Sequence, residues 1–355
     1  MKVLYSIQTT GNGHLSRAKE LIPHFERRFQ VDLILSGPKT GMAFDLKPIK
    51  HYHGLTLFYT QNGKIDWLKC LLKNNLLRFI IELFRVPVRK YDLVINDYEP
   101  LTAWSCKIHK IPCFGLSNQW ALWQKDYPER NSKNAWHLDL IKYLAPADHG
   151  YGFHYTIFSK NIYYPIIKKE IRDHRVSSGG GFLVYLPAYR LSEIKKVLQR
   201  FPDITFTVFS KEISHPFSHN KHHYQPIDAA TFTSKLAAAD GVICSAGFAT
   251  TSECLFLNKP LLVIPMKRHV EQTQNAHSLQ RIGVRIFDEF SLQHVEAIQN
   301  WLYKPQAVSL PFENNLNKLV DQIALDYIKI KYNLESIKKG TNIFDQKEKE
   351  LITSS

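Results

Sequence analysis

A glycine-rich segment after the first apolar run of the chain carries a histidine, His14, next to Gly11 and Gly13. Glycines allow a sharp backbone turn and the close approach of a ligand. A neutral imidazole can accept a proton from a substrate hydroxyl near neutral pH. The alternatives are a strand-to-helix turn capped by His14 or Ser16, and a dinucleotide-binding turn. The G-x-G-x-x-G pattern of such a turn is incomplete, because Ser16 occupies its third glycine position.

A second segment, of small and hydroxyl-bearing residues, follows the apolar run Gly241–Cys244. Free backbone N–H groups at the start of a helix there, which we assign to residues 249–251, would bind a diphosphate together with the helix dipole. Glu253, one turn into this helix, can accept hydrogen bonds from ribose hydroxyls. The alternative is an ordinary capped helix, in which Glu253 interacts favourably with the helix N-terminus.

A third segment is a polar loop after the apolar run at residues 260–264. Glu271 and Gln272 can hydrogen-bond to the hydroxyl groups of a sugar, and residues 267–269 can add positive charge. A loop that is merely solvated is the alternative explanation of the same composition.

Short apolar runs alternate with segments of helical periodicity in both halves of the chain, which predicts two α/β units with parallel sheets. The pattern restarts after residues 176–181, a glycine- and serine-rich stretch that we interpret as a flexible linker. In open parallel sheets, ligands bind at the carboxyl ends of the strands, where the three segments above are placed. The predicted strands are residues 3–7, 31–35, 93–95, 113–116, 182–186, 204–209, 241–244 and 260–264. The predicted helices are residues 16–29, 191–201, 231–238 and 250–257.

The composition limits the classes of function. The 355 residues are 44% hydrophobic and 22% charged, which is typical of a globular protein large enough for two domains. The net charge of +14 indicates an anionic partner, such as nucleic acid, an acidic lipid surface or a phosphorylated substrate. Because Lys and Arg form no long basic block, we do not expect nucleic-acid binding. The five dispersed cysteines, and the lack of a signal-peptide pattern or membrane-spanning run, predict a cytoplasmic protein.

The three segments together resemble the GT-B superfamily of glycosyltransferases, and within it the UDP-glycosyltransferases and the peptidoglycan-precursor N-acetylglucosaminyltransferase. The order and approximate spacing of the motifs match along nearly the whole chain. The matching residues are 11–14, 246–248, 252–253, 259–265 and 271–276.

The resemblance implies two facing Rossmann-like domains with the active site in the cleft between them. Residues 1–175 would form the acceptor-binding domain, residues 182–335 the domain that binds the nucleotide-sugar donor, and residues 336–355 a polar tail. It also implies an inverting hexosyltransferase that uses a UDP-sugar and needs neither a catalytic metal nor a cofactor. The acceptor would be a lipid-linked, cell-envelope or polysaccharide molecule.

The resemblance also implies individual roles. His14 would be the general base, and Asp97 would orient it. Glu253 would bind ribose, Glu271 and Gln272 the donor sugar, and the backbone around Ile227 the nucleobase. The other donor-binding residues would be Gly13, Ser245, Gly247, Phe248, Ala249 and Thr250.

Two further segments lie outside the matching motifs. Residues 67–86 are apolar with interspersed Lys and Arg, which predicts either an amphipathic helix on the inner face of an anionic membrane or a helix packed on the first sheet. A histidine-rich stretch at residues 215–223 is interpreted as a polar surface loop rather than a metal site. A sugar-nucleotide 2-epimerase of the same fold and a non-catalytic nucleotide-sugar-binding protein remain alternatives for the whole chain.

Overall fold

The computed structural model describes residues 1–39, 46–60, 63–128, 142–313 and 315–339, with only the backbone of Asn12 and of residues 333–339. The first sheet has seven strands in the order β3-β2-β1-β4-β5-β6-β7, and every pair is parallel. These strands are β1 (Lys2–Gln8), β2 (Gln30–Ser36), β3 (Lys50–Tyr52), β4 (Leu93–Asp97), β5 (Cys113–Ser117), β6 (His149–Phe153) and β7 (Ile162–Tyr163). The accompanying helices are α1 (Asn12–Glu26), α2 (Trp67–Lys73), α3 (Leu76–Arg85), α4 (Pro100–His109), α5 (Gln119–Leu122) and α6 (Lys169–Arg172).

The second sheet also has seven strands, in the order β10-β11-β9-β8-β12-β13-β14. Its pairs are parallel except for the hairpin of β10 and β11. The strands are β8 (Phe182–Tyr185), β9 (Phe206–Phe209), β10 (Phe217–His219), β11 (His222–Gln225), β12 (Gly241–Cys244), β13 (Leu261–Val263) and β14 (Arg285–Ile286). The remaining helices are α7 (Leu191–Leu198), α8 (Ala229–Ala238), α9 (Phe248–Phe256), α10 (Val270–Arg281), α11 (Val295–Tyr303) and α12 (Leu316–Lys339).

The central strands are buried on both faces, as expected for parallel sheets covered by helices. In β1 every residue from Val3 to Gln8 is buried, and so are all five residues of β4. Helix α1 packs its apolar residues against one face of the first sheet, and α3 and α4 cover the other. The predicted α/β class with two parallel-dominated sheets is confirmed.

Two expectations about the domain boundaries differ from the structure. Helix α12 was placed with the second domain, but Leu319, Val320 and Ile323 pack in the core of the first sheet. The stretch 176–181 is not a free linker, because its backbone is hydrogen-bonded along the second domain, including two N–H groups to the Asp240 carboxylate at 2.6 and 3.0 Å. Of the expected tail, residues 340–355 lie outside the described part of the chain.

The segment 67–86 forms two helices rather than one, because the chain breaks at Asn74 and the Asn75 side chain caps α3. Their outer face is exposed instead of packed. We call this face, with its large apolar side chains, the α2–α3 surface. It comprises Trp67, Leu68, Leu71, Leu72, Leu76, Leu77, Ile80, Ile81 and Phe84.

The histidine-rich stretch is a β-hairpin, not a loop. His219 pairs with His222 across β10 and β11, and His222 is buried. Within the described residues, no group of three or more His, Cys, Asp or Glu side chains is arranged to hold a metal ion.

Candidate active site

A cleft with about 340 Å³ of space accessible to water lies where the carboxyl ends of the two sheets face each other. The first domain contributes the loop after β1 and the residues after β5, and the second contributes the residues after β12 and the start of α10. Most of the site residues expected from the sequence line this cleft. They are Gly13, His14, Ser245, Gly247, Phe248, Ala249, Thr250, Glu253, Glu271 and Gln272.

His14 lies in the first turn of α1, which begins at Asn12 and not at Ser16 as expected. The residue before the helix is Gly11, so neither His14 nor Ser16 caps it. The Nδ1 atom of His14 lies 2.7 Å from Oδ1 of Asp97 at the end of β4. A proton on Nδ1 that is donated to this carboxylate leaves the lone pair of Nε2 free, which is the form that a general base requires.

Asp97 is fully buried beneath His14, so it orients the histidine from behind the cleft wall. Burial alone would raise the pKa of Asp97, but the nearby Arg17 and His14 outweigh it and hold the pKa below its ordinary value. Asp97 is therefore an anion that stabilises positive charge on the imidazole.

Arg17 was missed by the sequence analysis, although it lies three residues after His14 and thus on the same face of α1. Its Nε and Nη2 atoms bind the two oxygens of Asp97, the former at 3.1 Å. Nη1 donates to the Oδ1 of Asn118 at 3.2 Å. The guanidinium is only 8% exposed, so these contacts are largely desolvated.

Asn118 and Gln119 were also missed; they follow β5 and extend across the cleft. The amide nitrogen of Asn118 lies 2.9 Å from one oxygen of Glu271, and that of Gln119 lies 3.1 Å from the other. Glu271 belongs to the second domain, so both of its oxygens accept hydrogen bonds from the first. The expected sugar-binding carboxylate therefore also bridges the domains. The adjacent Gln272 accepts a bond from the Met266 N–H at 2.9 Å.

Helix α9 directs its N-terminus into the cleft. Gly247 precedes it and gives no side-chain cap, so the first three N–H groups, of residues 248–250, have no intrahelical partner. Thr251, expected in this set, does not belong to it, because its N–H donates a hydrogen bond to the Gly247 carbonyl at 3.2 Å. Ala249 faces the first domain, since a Cβ built on Gly13 would lie 4.0 Å from the Ala249 Cβ. The histidine turn and the uncapped N-terminus of α9, a favourable place for an anion, are thus neighbours.

Glu253 lines the cleft but is paired with Lys168, whose Nζ lies 3.1 Å from a carboxylate oxygen. Burial raises the pKa of Glu253, and Lys168 opposes this effect only in part. Lys168 lies just before α6, where the alternation of apolar runs gives no signal for it. It adds a positive charge to the side of the cleft where the α9 N-terminus already favours an anion.

Ile227 does not line the cleft; it lies between β11 and α8 with 42% of its surface exposed. Pro187, after β8, does line the cleft. Proline has no backbone N–H, so the loop after β8 offers no donor at this position. Of the loop after β8 and the start of α9, only α9 therefore offers free backbone N–H groups to the cleft at these positions.

Two facing Rossmann-like domains, with a His–Asp pair on one side of the cleft and a free helix N-terminus on the other, are arranged as in the GT-B class of glycosyltransferases. The family model described as glycosyl transferase family 1 matches residues 1–305. The chain belongs to this family and is a glycosyltransferase.

Solved structures share the fold at low sequence identity. UGT2 of Phytolacca americana, complexed with UDP-2-fluoro-glucose and pterostilbene, has a TM-score of 0.55 and 14% identity, and the match covers 92% of this chain and 99% of that one. SnogD, a glycosyltransferase from Streptomyces nogalater, has a TM-score of 0.51 and 11% identity over 92% and 99%. A putative UDP-N-acetylglucosamine 2-epimerase from Listeria monocytogenes has a TM-score of 0.54 and 12% identity over 96% and 97%. No curated protein is detectably similar to the chain in sequence.

Proposed function

We propose that the protein is an inverting glycosyltransferase that moves a hexosyl group from a UDP-sugar to a hydroxyl group of its acceptor. One observation carries this proposal: the cleft places the His14–Asp97 pair beside the N-terminus of α9. The first can accept a proton from the acceptor, and the second can bind the diphosphate that leaves. The UDP complex of a protein with the same fold is consistent with this choice of donor.

Inversion follows from a single displacement. The acceptor oxygen attacks the anomeric carbon as the bond to the diphosphate breaks, and Nε2 of His14 accepts the hydroxyl proton. Asp97 stabilises the resulting imidazolium. The N–H groups of residues 248–250 and the Lys168 ammonium stabilise charge on the diphosphate, so the step requires no metal ion or other cofactor.

The arrangement favours transfer over 2-epimerisation, which needs acid and base groups around the sugar carbons. The two carboxylates that line the cleft have other partners: Glu253 is paired with Lys168, and Glu271 accepts two amide hydrogen bonds. A His–Asp pair that points its imidazole into the cleft also favours catalysis over simple nucleotide-sugar binding.

We further propose that the acceptor is a cell-envelope molecule, lipid-linked or a polysaccharide, and that the enzyme works peripherally on the inner face of the cytoplasmic membrane. The exposed α2–α3 surface supports this, because large exposed apolar patches mark interaction sites. Helix α2 is connected to the helix that carries Glu271: the Phe58 N–H contacts Cys70 of α2, and the Tyr59 ring lies 4.8 Å from His269 at the start of α10. No helix within the described ranges is long and apolar enough to cross a bilayer.

The test of the reaction is the variant His14→Ala. Loss of a positioned base typically slows a reaction about 10²–10⁴-fold, so transfer should be at least about a hundredfold slower while UDP binding is retained. Asp97→Asn should cost less, since it leaves the imidazole that accepts the proton in place. His24→Ala is the matched control on the same helix, outside the cleft. Near-normal turnover of His14→Ala on the true acceptor would mean that the base lies elsewhere.

A further inference from the structure

The guanidinium group of Arg17 contacts two different parts of the cleft. On one side the guanidinium holds both oxygens of Asp97, and Nη2 lies 2.9 Å from the His14 Nδ1. On the other side it donates to Asn118, which in turn binds Glu271 of the second domain. A continuous chain of polar contacts therefore runs from the base to the opposite domain.

Arg17 at one end and Glu271 at the other fix the direction in which the hydrogen bonds of Asn118 are donated. An arginine can only donate hydrogen bonds and a carboxylate can only accept them. Arg17 therefore requires the Asn118 carbonyl oxygen on its side, and Glu271 requires the Asn118 NH₂ group on the other. The amide is oriented by the guanidinium before it meets Glu271.

Three members of this chain of contacts are also shielded from water. Arg17 and Asn118 are 8% and 7% exposed, and Asp97 is fully buried. Water cannot easily replace a lost partner at such a site, so the removal of one member exposes the full desolvation cost of the others.

We propose that Arg17 is a positioning residue that holds the His14–Asp97 pair in place and, through Asn118, holds Glu271 and the second domain in the closed cleft. The kinetic part of this inference rests on the proposed transferase function, but the domain-closure part does not. Base geometry and domain closure are then linked by one side chain.

Closure is measured on the free protein by electron–electron distance spectroscopy, with spin labels at Lys107→Cys on α4 and Gln299→Cys on α11. Both positions are exposed, and the native cysteines are buried. Arg17→Gln should populate a second, longer distance, with the closed-to-open ratio reduced at least about tenfold, the effect of one lost charge-assisted hydrogen bond. The control Arg28→Met, which removes an arginine from an exposed ion pair with Asp321, should keep the wild-type distance.

Asn118→Asp tests the contact with Glu271 separately. It retains the contact with Arg17 and places the carboxylates of residues 118 and 271 face to face. It should open the cleft as Arg17→Gln does, and the double variant should open it no further, since both break the same chain. Should Arg17→Gln fail to fold, Asn118→Asp and Arg17→Lys decide. A lysine cannot hold Asp97 through two nitrogens and Asn118 through a third.

Steady-state kinetics distinguishes an effect on the His14–Asp97 pair from an effect on domain closure. Arg17→Lys should lower kcat at least about tenfold and also raise the KM for the UDP-sugar, whereas Asn118→Asp should act chiefly on KM. The inference is overturned if both variants keep the wild-type distance distribution, or if their effects on closure multiply independently. Inactivity of the wild-type enzyme towards sugar donors would instead contradict the proposed function and leave the closure result standing.

Discussion

The α2–α3 surface predicts a measurable affinity for anionic membranes, which two aspartates should abolish. Leu72 and Leu77 are 75% and 71% exposed, so a bilayer would bury surface that the fold leaves in water. Burial of a leucine side chain is worth about 1.5–3 kcal/mol when complete, which scales to roughly 1–2 kcal/mol at these exposures. An aspartate loses this term and is repelled by anionic lipid at about 1 kcal/mol per charge. Leu72→Asp/Leu77→Asp should therefore weaken binding by about 4–6 kcal/mol, at least roughly a thousandfold.

The charged residues around the α2–α3 surface predict a preference for anionic lipid. Residues 67–90 contain six Lys or Arg residues and one acid, Glu82, which is buried and paired with Arg78 at 2.9 Å. Each cation near an anionic surface contributes about 1 kcal/mol, or roughly fivefold. Lys69→Gln/Lys73→Gln should weaken binding about 25-fold, and added salt should weaken it further by screening.

Co-sedimentation with vesicles measures both terms. The wild-type protein should sediment with phosphatidylcholine vesicles containing a quarter phosphatidylglycerol, and much less with pure phosphatidylcholine. Tyr303→Asp is the control, because this exposed residue on α11 lies outside the surface. The reasoning is refuted if the wild-type protein does not sediment at low salt. It is also refuted if light scattering shows a dimer that Leu72→Asp/Leu77→Asp dissociates, since a second copy of the chain would then cover the surface.

Three further results are expected. Glu253→Ala should weaken UDP binding about 10–100-fold in calorimetry, since a charged hydrogen bond contributes about 1.5–3 kcal/mol; unchanged affinity would remove the residue from the donor site. Burial alone would raise the pKa of Asp97, but its cationic neighbours hold it below the ordinary value, so its stabilising effect is present above about pH 4 and lost as the pH falls further. Asp97→Asn should thus destabilise the protein more at pH 7 than at pH 3.5 in urea unfolding, and an equal loss at both would contradict this. Gly150→Ala should lower the free energy of unfolding by about 1–3 kcal/mol, because its Cβ would lie 1.9 Å from a ring carbon of Trp120; wild-type stability would show that the ring can move.

The strands of the sheet centres were predictable because burial on both faces leaves a continuous apolar run. All eight predicted strands coincide with observed ones to within two residues at either end; these are β1, β2, β4, β5, β8, β9, β12 and β13. The ends of helices were less predictable. Helix α1 begins four residues before Ser16, because the backbone of Asn12 and Gly13 is already helical without a capping side chain. A capping side chain, which usually marks the start of a helix in the sequence, is missing from α1, whose N-terminus lies at the cleft.

The partners of the site residues could not be predicted from local sequence. Arg17 and Asp97 are 80 residues apart, and Asn118 and Glu271 are 153 apart. Only the pairing of β1 with β4, and the approach of the two domains, brings them together. The same holds for α12, whose apolar residues fit a helix in either domain, so that tertiary packing alone decides for the first sheet.

The contacts between the domains leave part of the hydrogen-bonding capacity of Glu271 unused, which is what the proposed binding of a donor sugar needs. A carboxylate has about four lone-pair sites, and Glu271 gives one from each oxygen to Asn118 and Gln119. The Oε1 atom of Gln119 is buried without a hydrogen-bond partner among the described residues. We infer that sugar hydroxyls can donate to the unused lone pairs of Glu271 without breaking the bridge between the domains, whereas the buried Gln119 oxygen would first have to become accessible. If the proposed function and the closure inference both hold, base geometry, domain closure and sugar binding should all depend on the same few side chains.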